Sequence, residues 1–150
     1  TYVLCGHSER RQHHGETDEF VKTQAEAALE SALQPIVCVG ETWDQREMGK
    51  EQEVVKKQLA GMPTGIIVAY EPVWAIGTGK TATPADAETM HAFIRSVLAD
   101  QSTMILYGGS MNAKNCEELL KQPNINGGLS GGASLKLDEF KTIVEIAGRI

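Results

Sequence analysis

The run Ala69-Tyr70-Glu71-Pro72-Val73-Trp74-Ala75-Ile76-Gly77-Thr78-Gly79-Lys80-Thr81 concentrates more potential chemistry than any other stretch of this chain. An apolar strand, Ile66 to Tyr70, ends on a single carboxylate, Glu71. A loop with one large aromatic, Trp74, and two glycines, Gly77 and Gly79, follows at once. A carboxylate at the C-terminal tip of a parallel strand stands where α/β proteins bind ligands. Glycines just beyond it let backbone N–H groups approach an anion. A general base and a phosphate grip would then share one loop.

Two other strand ends carry chemistry that a buried run does not need. One is His7-Ser8-Glu9-Arg10-Arg11. The other is a pair of glycine doublets, Gly108-Gly109 before Ser110, and Gly131-Gly132. Parallel topology would bring them to one face with Glu71. A carboxylate base, an imidazole and several amides are the parts for moving a proton beside a carbonyl on a phosphorylated substrate.

Each part has a plainer reading when taken alone. Glu71 could be a solvated or ion-paired strand end, His7 a structural histidine, and the glycine doublets tight turns. His13-His14 invites a metal reading, but no third ligand is spaced to join them, and an exposed polar loop is expected. His91 is expected at the surface. Arg10 and Arg11 read as an ion-pair network with Glu9 that braces the loop. Trp74, flanked by Pro72 and Gly77, reads as a lid residue rather than a core one. Gly79-Lys80-Thr81 imitates the end of a nucleotide-binding P-loop. That motif needs a glycine where Trp74 stands and a helix starting at the lysine. Neither condition is met.

The elements that must position these groups alternate strand and helix. Tyr2 to Cys5 is a short apolar strand closed by Gly6. Thr17 caps a helix whose first turn carries Asp18 and Glu19 and whose apolar face runs through Phe20, Val21, Ala28, Leu29 and Ala32. Pro35 opens the strand Ile36 to Val39, apolar on both faces as a buried parallel strand should be. A loop through Trp43 leads to a helix with Val54, Val55 and Leu59. Strand Ile66 to Tyr70 follows. Thr83 caps a helix with Pro84 at its first position and Met90, Phe93, Ile94, Val97 and Leu98 on one face. Strand Met104 to Tyr107 precedes a short helix capped by Asn112. A weak strand, Ile125 to Ser130, precedes a last helix packing Leu137, Phe140, Ile143, Val144 and Ala147. These are five βα units in series, with every strand's C-terminal end on one side.

Composition bounds the function. The chain has 150 residues, 41% of them hydrophobic, and a net charge of −6. One domain over residues 1–150 is expected, with no internal linker. The acidic balance offers no footprint for nucleic acid or an anionic membrane, and no stretch is long and apolar enough to span a bilayer. The three cysteines, Cys5, Cys38 and Cys116, are scattered and odd in number, which fits a reducing cytoplasm and small buried hydrophobes. The opening Thr1 to Cys5 reads as strand from within a domain.

The segments Cys5 to Arg11, Ala69 to Pro84, Tyr107 to Ser110 and Gly131 to Leu135 together resemble the triosephosphate isomerase family, in family order. The resemblance implies parallel βα units of a TIM (β/α)8 barrel, units four to eight. It implies proton transfer through an enediolate between dihydroxyacetone phosphate and glyceraldehyde 3-phosphate, in glycolysis and gluconeogenesis. No cofactor or metal is implied, and the complete enzyme would be a cytoplasmic homodimer. By resemblance Glu71 is the base and His7 a neutral electrophile, an arrangement for which this family is the standard case. Glu9 is a supporting carboxylate. Gly77, Ser110, Gly131 and Gly132 bind phosphate. Pro72, Val73, Trp74, Ala75, Ile76, Thr78, Gly79, Lys80 and Thr81 belong to a lid.

The departures shape a second expectation. A full barrel has eight units in roughly 250 residues. The family's first three strands, with a substrate-binding asparagine and lysine and the loop that reaches the partner subunit, have no counterpart here. The connections from Leu59 to Ile66 and from Leu98 to Met104 are short for the family. Gly128 and Ser130 replace apolar residues and weaken the last strand. The chain alone is therefore expected to lack isomerase activity. The alternative is a non-catalytic partial barrel that associates through open sheet edges.

Overall fold

The computed structural model of the chain describes residues 1–76 and 82–150. Five strands form one parallel sheet: β1 (Tyr2–Cys5), β2 (Gln34–Val39), β3 (Ile67–Tyr70), β4 (Ile105–Tyr107) and β5 (Gly127–Gly128). Their spatial order is their sequence order, and the sheet is open, with β1 and β5 at its edges. The register sets Val39 beside Tyr70 and Tyr70 beside Tyr107. The three central strands therefore end level, and the residues that follow them open onto a common face.

Helices lie between the strands: α1 (Ser8–His14), α2 (Asp18–Glu30), α3 (Trp43–Glu47), α4 (Glu51–Leu59), α5 (Pro84–Val97), α6 (Cys116–Leu120) and α7 (Leu137–Ala147). Among the described residues no helix is long and apolar enough to cross a membrane. Strand alternation sorts the core into two layers. Val37, Val39, Val68, Tyr70, Ile105 and Tyr107 point to the helical side and pack with Val21, Ala25, Val55, Ile94 and Leu119. Ile36, Cys38, Ile67 and Ala69 form the other layer, with Leu106 and Leu129 against it.

Local chemistry explains the helix starts. Thr17 accepts the Phe20 N–H at the head of α2. Thr83 and Asp86 close a reciprocal capping box on α5, with Pro84 in its first turn.

Several expectations change. Ser8 to His14 is a helix rather than a loop, so His13 and His14 occupy its exposed last turn. The loop through Trp43 contains α3, capped by Thr42. Asn115, not Asn112, stands at the head of α6. The Asn112 side chain instead accepts the N–H groups of Lys114 and Asn115, which holds the turn before it. Phe20 is exposed and Ala32 lies beyond α2. The last strand shrinks to Gly127–Gly128 because two glycines offer no side chain to pack. α7 follows that minimal strand and packs on α6 and the turn before it. Of its expected inward residues only Ile143 is buried, while Leu137 is 81% exposed.

His91 is the largest reversal. It is 0% exposed, not at the surface. Buried positions Ala87, Met90, His91 and Ile94 recur at helical spacing and turn the ring inward. The ring meets Tyr70 edge-on and lies beside Tyr107. Nδ1 stands 3.2 Å from the Asn124 carbonyl, which can only accept, so Nδ1 carries the proton. Nε2 has no hydrogen-bond partner among the described residues. Burial pushes this imidazole down to about 4. The folded state therefore holds His91 neutral where the unfolded chain would protonate it. Its contribution is complete above the ordinary value of 6.5 and lost as pH falls toward 4. That displacement corresponds to roughly 3 kcal/mol. Urea unfolding of wild type should show stability falling across this window, and His91→Phe should flatten the fall. Parallel curves for the two proteins would assign the pH dependence elsewhere.

Candidate active site

β3 delivers Glu71 to the end of the sheet, where its side chain is almost wholly buried. Its backbone is fixed on both sides, since Glu71 donates its N–H to the Val39 carbonyl while Gly108 donates to the Tyr70 carbonyl. Side chains are excluded around it. A Cβ on Gly40 would collide with the Glu71 carbonyl oxygen, and one on Gly108 would come within 2.9 Å of the Glu71 side chain. Glycine at the ends of β2 and β4 thus clears the space that the carboxylate occupies.

The carboxylate is held from β1. The Ser8 N–H donates to Oε2 at 3.0 Å, and His7 Nε2 stands 3.0 Å from Oε1. His7 caps α1: its Nδ1 accepts the Glu9 N–H at 3.3 Å. With Nδ1 accepting, the ring proton sits on Nε2 and points at Glu71. Burial raises the Glu71 pKa above the usual carboxylate range. His7 opposes that most, followed by the Ser8 N–H, the Cys38 thiol and Arg11. A carboxylate so desolvated is a stronger base than one in water.

A second carboxylate, Glu41, is 0% exposed. It accepts the Tyr70 hydroxyl at 3.0 Å, the Trp74 indole N–H at 2.7 Å and the Arg46 guanidinium at 3.1 Å. Arg46 also lies over the Trp74 ring and 3.6 Å from Asp86. Trp74 sits in a short 3-10 turn, Val73–Ala75, and its ring is buried in the core. The expectation of a residue outside the core is corrected. A loop position normally stays wet, but here the buried Glu41 carboxylate accepts the indole N–H.

The cleft above Glu71 has a volume of about 610 Å³. It gathers His7, Glu71, Ser110, Gly131 and Gly132, as the sequence anticipated, with Glu9 and Ile76 at its margin. Glu9 contributes its N–H to His7, and its side chain is exposed. The Ser110 hydroxyl reaches the Ala75 carbonyl at 3.4 Å, which ties the loop after β4 to the turn after β3. Gly131 leads into a second 3-10 turn, Gly132–Leu135. The two arginines do brace the first loop, but through other acids than Glu9. Arg10 pairs with Glu16, and Arg11 with Asp18 and the carbonyls of Gly6 and Cys38. Gly77, Thr78, Gly79, Lys80 and Thr81 lie outside the described residues. Sequence reading missed Gly40, Glu41 and Cys38. Their signal was the strand end Cys38-Val39-Gly40-Glu41, built like the one that ends in Glu71.

The family model described as triosephosphate isomerase matches residues 1–147. The triosephosphate isomerase of Delftia acidovorans is 54% identical over 158 residues, covering 97% of this chain and 64% of that protein. That of Thermus thermophilus is 48% identical over 162 residues, covering 98% of this chain and 65% of the relative. The chain thus spans about 64% of the length of such curated relatives. Both alignments are longer than the chain's 150 residues. The relatives therefore carry residues without a counterpart here.

Glu41→Ala removes an acceptor that Tyr70, Trp74 and Arg46 share. Truncating one side of a buried charged network costs about 3–5 kcal/mol. Chemical denaturation of the variant should show a loss of that order. A loss no larger than that of an exposed substitution would mean that the network carries little of the stability.

Proposed function

The chain belongs to the triosephosphate isomerase family, and from that premise we propose that its cleft interconverts dihydroxyacetone phosphate and glyceraldehyde 3-phosphate. The observation that carries the reading is the His7–Glu71 pair: a buried carboxylate facing an imidazole whose proton points at it. Glu71 takes a proton from the carbon beside the carbonyl. His7, through Nε2–H, polarises the carbonyl oxygen as the enediolate forms. Glu71 then returns the proton to the neighbouring carbon, while His7 gives its Nε2 proton to the former carbonyl oxygen and takes one from the former hydroxyl, so that carbonyl and hydroxyl exchange places. Ser110 and the amides of Gly131, Gly132 and Gly77 hold the phosphate, since backbone N–H groups suit a dianion. The segment from Pro72 to Thr81 closes over it and keeps out water. Glu9 supports His7 through its backbone.

The same reading makes the whole protein a cytoplasmic homodimer of glycolysis and gluconeogenesis. Three free, buried cysteines are in keeping with a reducing compartment. A second reading rests on the open edges of β1 and β5, where Tyr2 and Leu4 are exposed. Unpaired edges favour association. In sedimentation, residues 1–150 alone should form oligomers. A stable monomer would end that reading.

Glu71→Gln keeps the shape of the base and removes its proton acceptor. In protein that turns over, kcat should fall by about 100-fold or more, with phosphate-ligand affinity nearly unchanged. A variant with near-wild-type kcat would end the assignment of Glu71 as base.

A further inference from the structure

The charged lining of the cleft is mostly of the wrong sign for an anion. Glu9, Glu71 and Glu139 contribute carboxylates, and among the described residues Lys136 is the one lysine or arginine side chain that lines it. Hydroxyl and amide donors at Ser110, Gly131 and Gly132 are neutral. A phosphate dianion entering such a cleft meets repulsion that neutral donors do not cancel. Lys136 is tied to the Gly132–Leu135 turn, because its own N–H donates to the Ala133 carbonyl at 3.2 Å. Its side chain is 74% exposed and its ammonium stands 3.6 Å from Glu139, a loose contact of the kind worth little in water.

Resting on the reading of the cleft as a triose phosphate site, we infer that Lys136 sets its affinity for the phosphate dianion, exchanging Glu139 for the ligand when the ligand arrives. The turn supplies geometry and Lys136 supplies charge. Glu139 competes for the same ammonium, so it acts as a brake on anion binding. Two substitutions in one ion pair therefore shift affinity in opposite directions. A purely structural role for the pair would not do that.

The test is titration of the chain with inorganic phosphate at low ionic strength, followed by amide shifts at Gly131 and Gly132. Lys136→Met should weaken binding about tenfold, the scale of one unit charge at a partly screened distance. Lys136→Arg should restore it. Glu139→Gln should strengthen binding and leave Lys136 in place. Lys141→Met removes an equal charge elsewhere on α7, where Lys141 pairs with Glu145, and should change little. If wild type binds phosphate and Lys136→Met binds equally, the role of Lys136 is refuted while the anion-site reading stands. The role is equally refuted if Lys141→Met matches the loss, because net charge then explains it. If wild type does not bind phosphate at those amides, the anion-site reading fails and takes the role of Lys136 with it.

Discussion

A carboxylate almost wholly removed from water needs its lost hydration replaced, and at Glu71 the replacement comes from a different part of the chain. Ser8 and His7 approach from the end of β1, two strands away across the sheet. Isolated burial of an ionised carboxylate would be prohibitive. The site therefore exists only where parallel strands end level enough for β1 and β3 to share one pocket. The glycines beside it answer the same demand. Gly40 lets the end of β2 pass against the Glu71 backbone, and Gly108 lets that of β4 pass against its side chain. Four strands are thus fitted around one anion.

Glu41 solves the same problem with different partners, a phenol, an indole and a guanidinium. Tyr70 precedes Glu71, and Trp74 begins the segment that follows it. Glu41 therefore holds the chain on both sides of Glu71. Arg46 extends this hold to Asp86, which also caps α5. Glu71 is joined to a network that is polar at its centre and apolar around it. That combination is tolerated only when every partner is in place.

Much of this was legible beforehand because its signals are local. Strand runs, Thr and Pro caps and the order of βα units follow from residue type at short range, and the parallel sheet follows from their order. Glu71, His7 and the glycine turns were legible because they interrupt apolar strand ends. Pairwise burial was not legible. Trp74 looks like a loop aromatic until Glu41 accepts its indole N–H, and His91 looks polar until Tyr70 and Tyr107 pack beside it. α7 erred the other way. Its pattern asks for a buried face, but a strand of two glycines gives the helix little to lie on.

The chain has two tryptophans, and both stand at the same joint, with ring centroids 5.8 Å apart. Trp43 opens α3 after β2 and Trp74 lies in the 3-10 turn after β3, with Arg46 against the latter. The tryptophan emission of the whole molecule therefore originates at one place rather than averaging over the fold. At that spacing the two chromophores couple, so circular dichroism in the same band reads their mutual tilt, 54° in this state. The protein carries its own optical gauge, attached to the turn that follows Glu71.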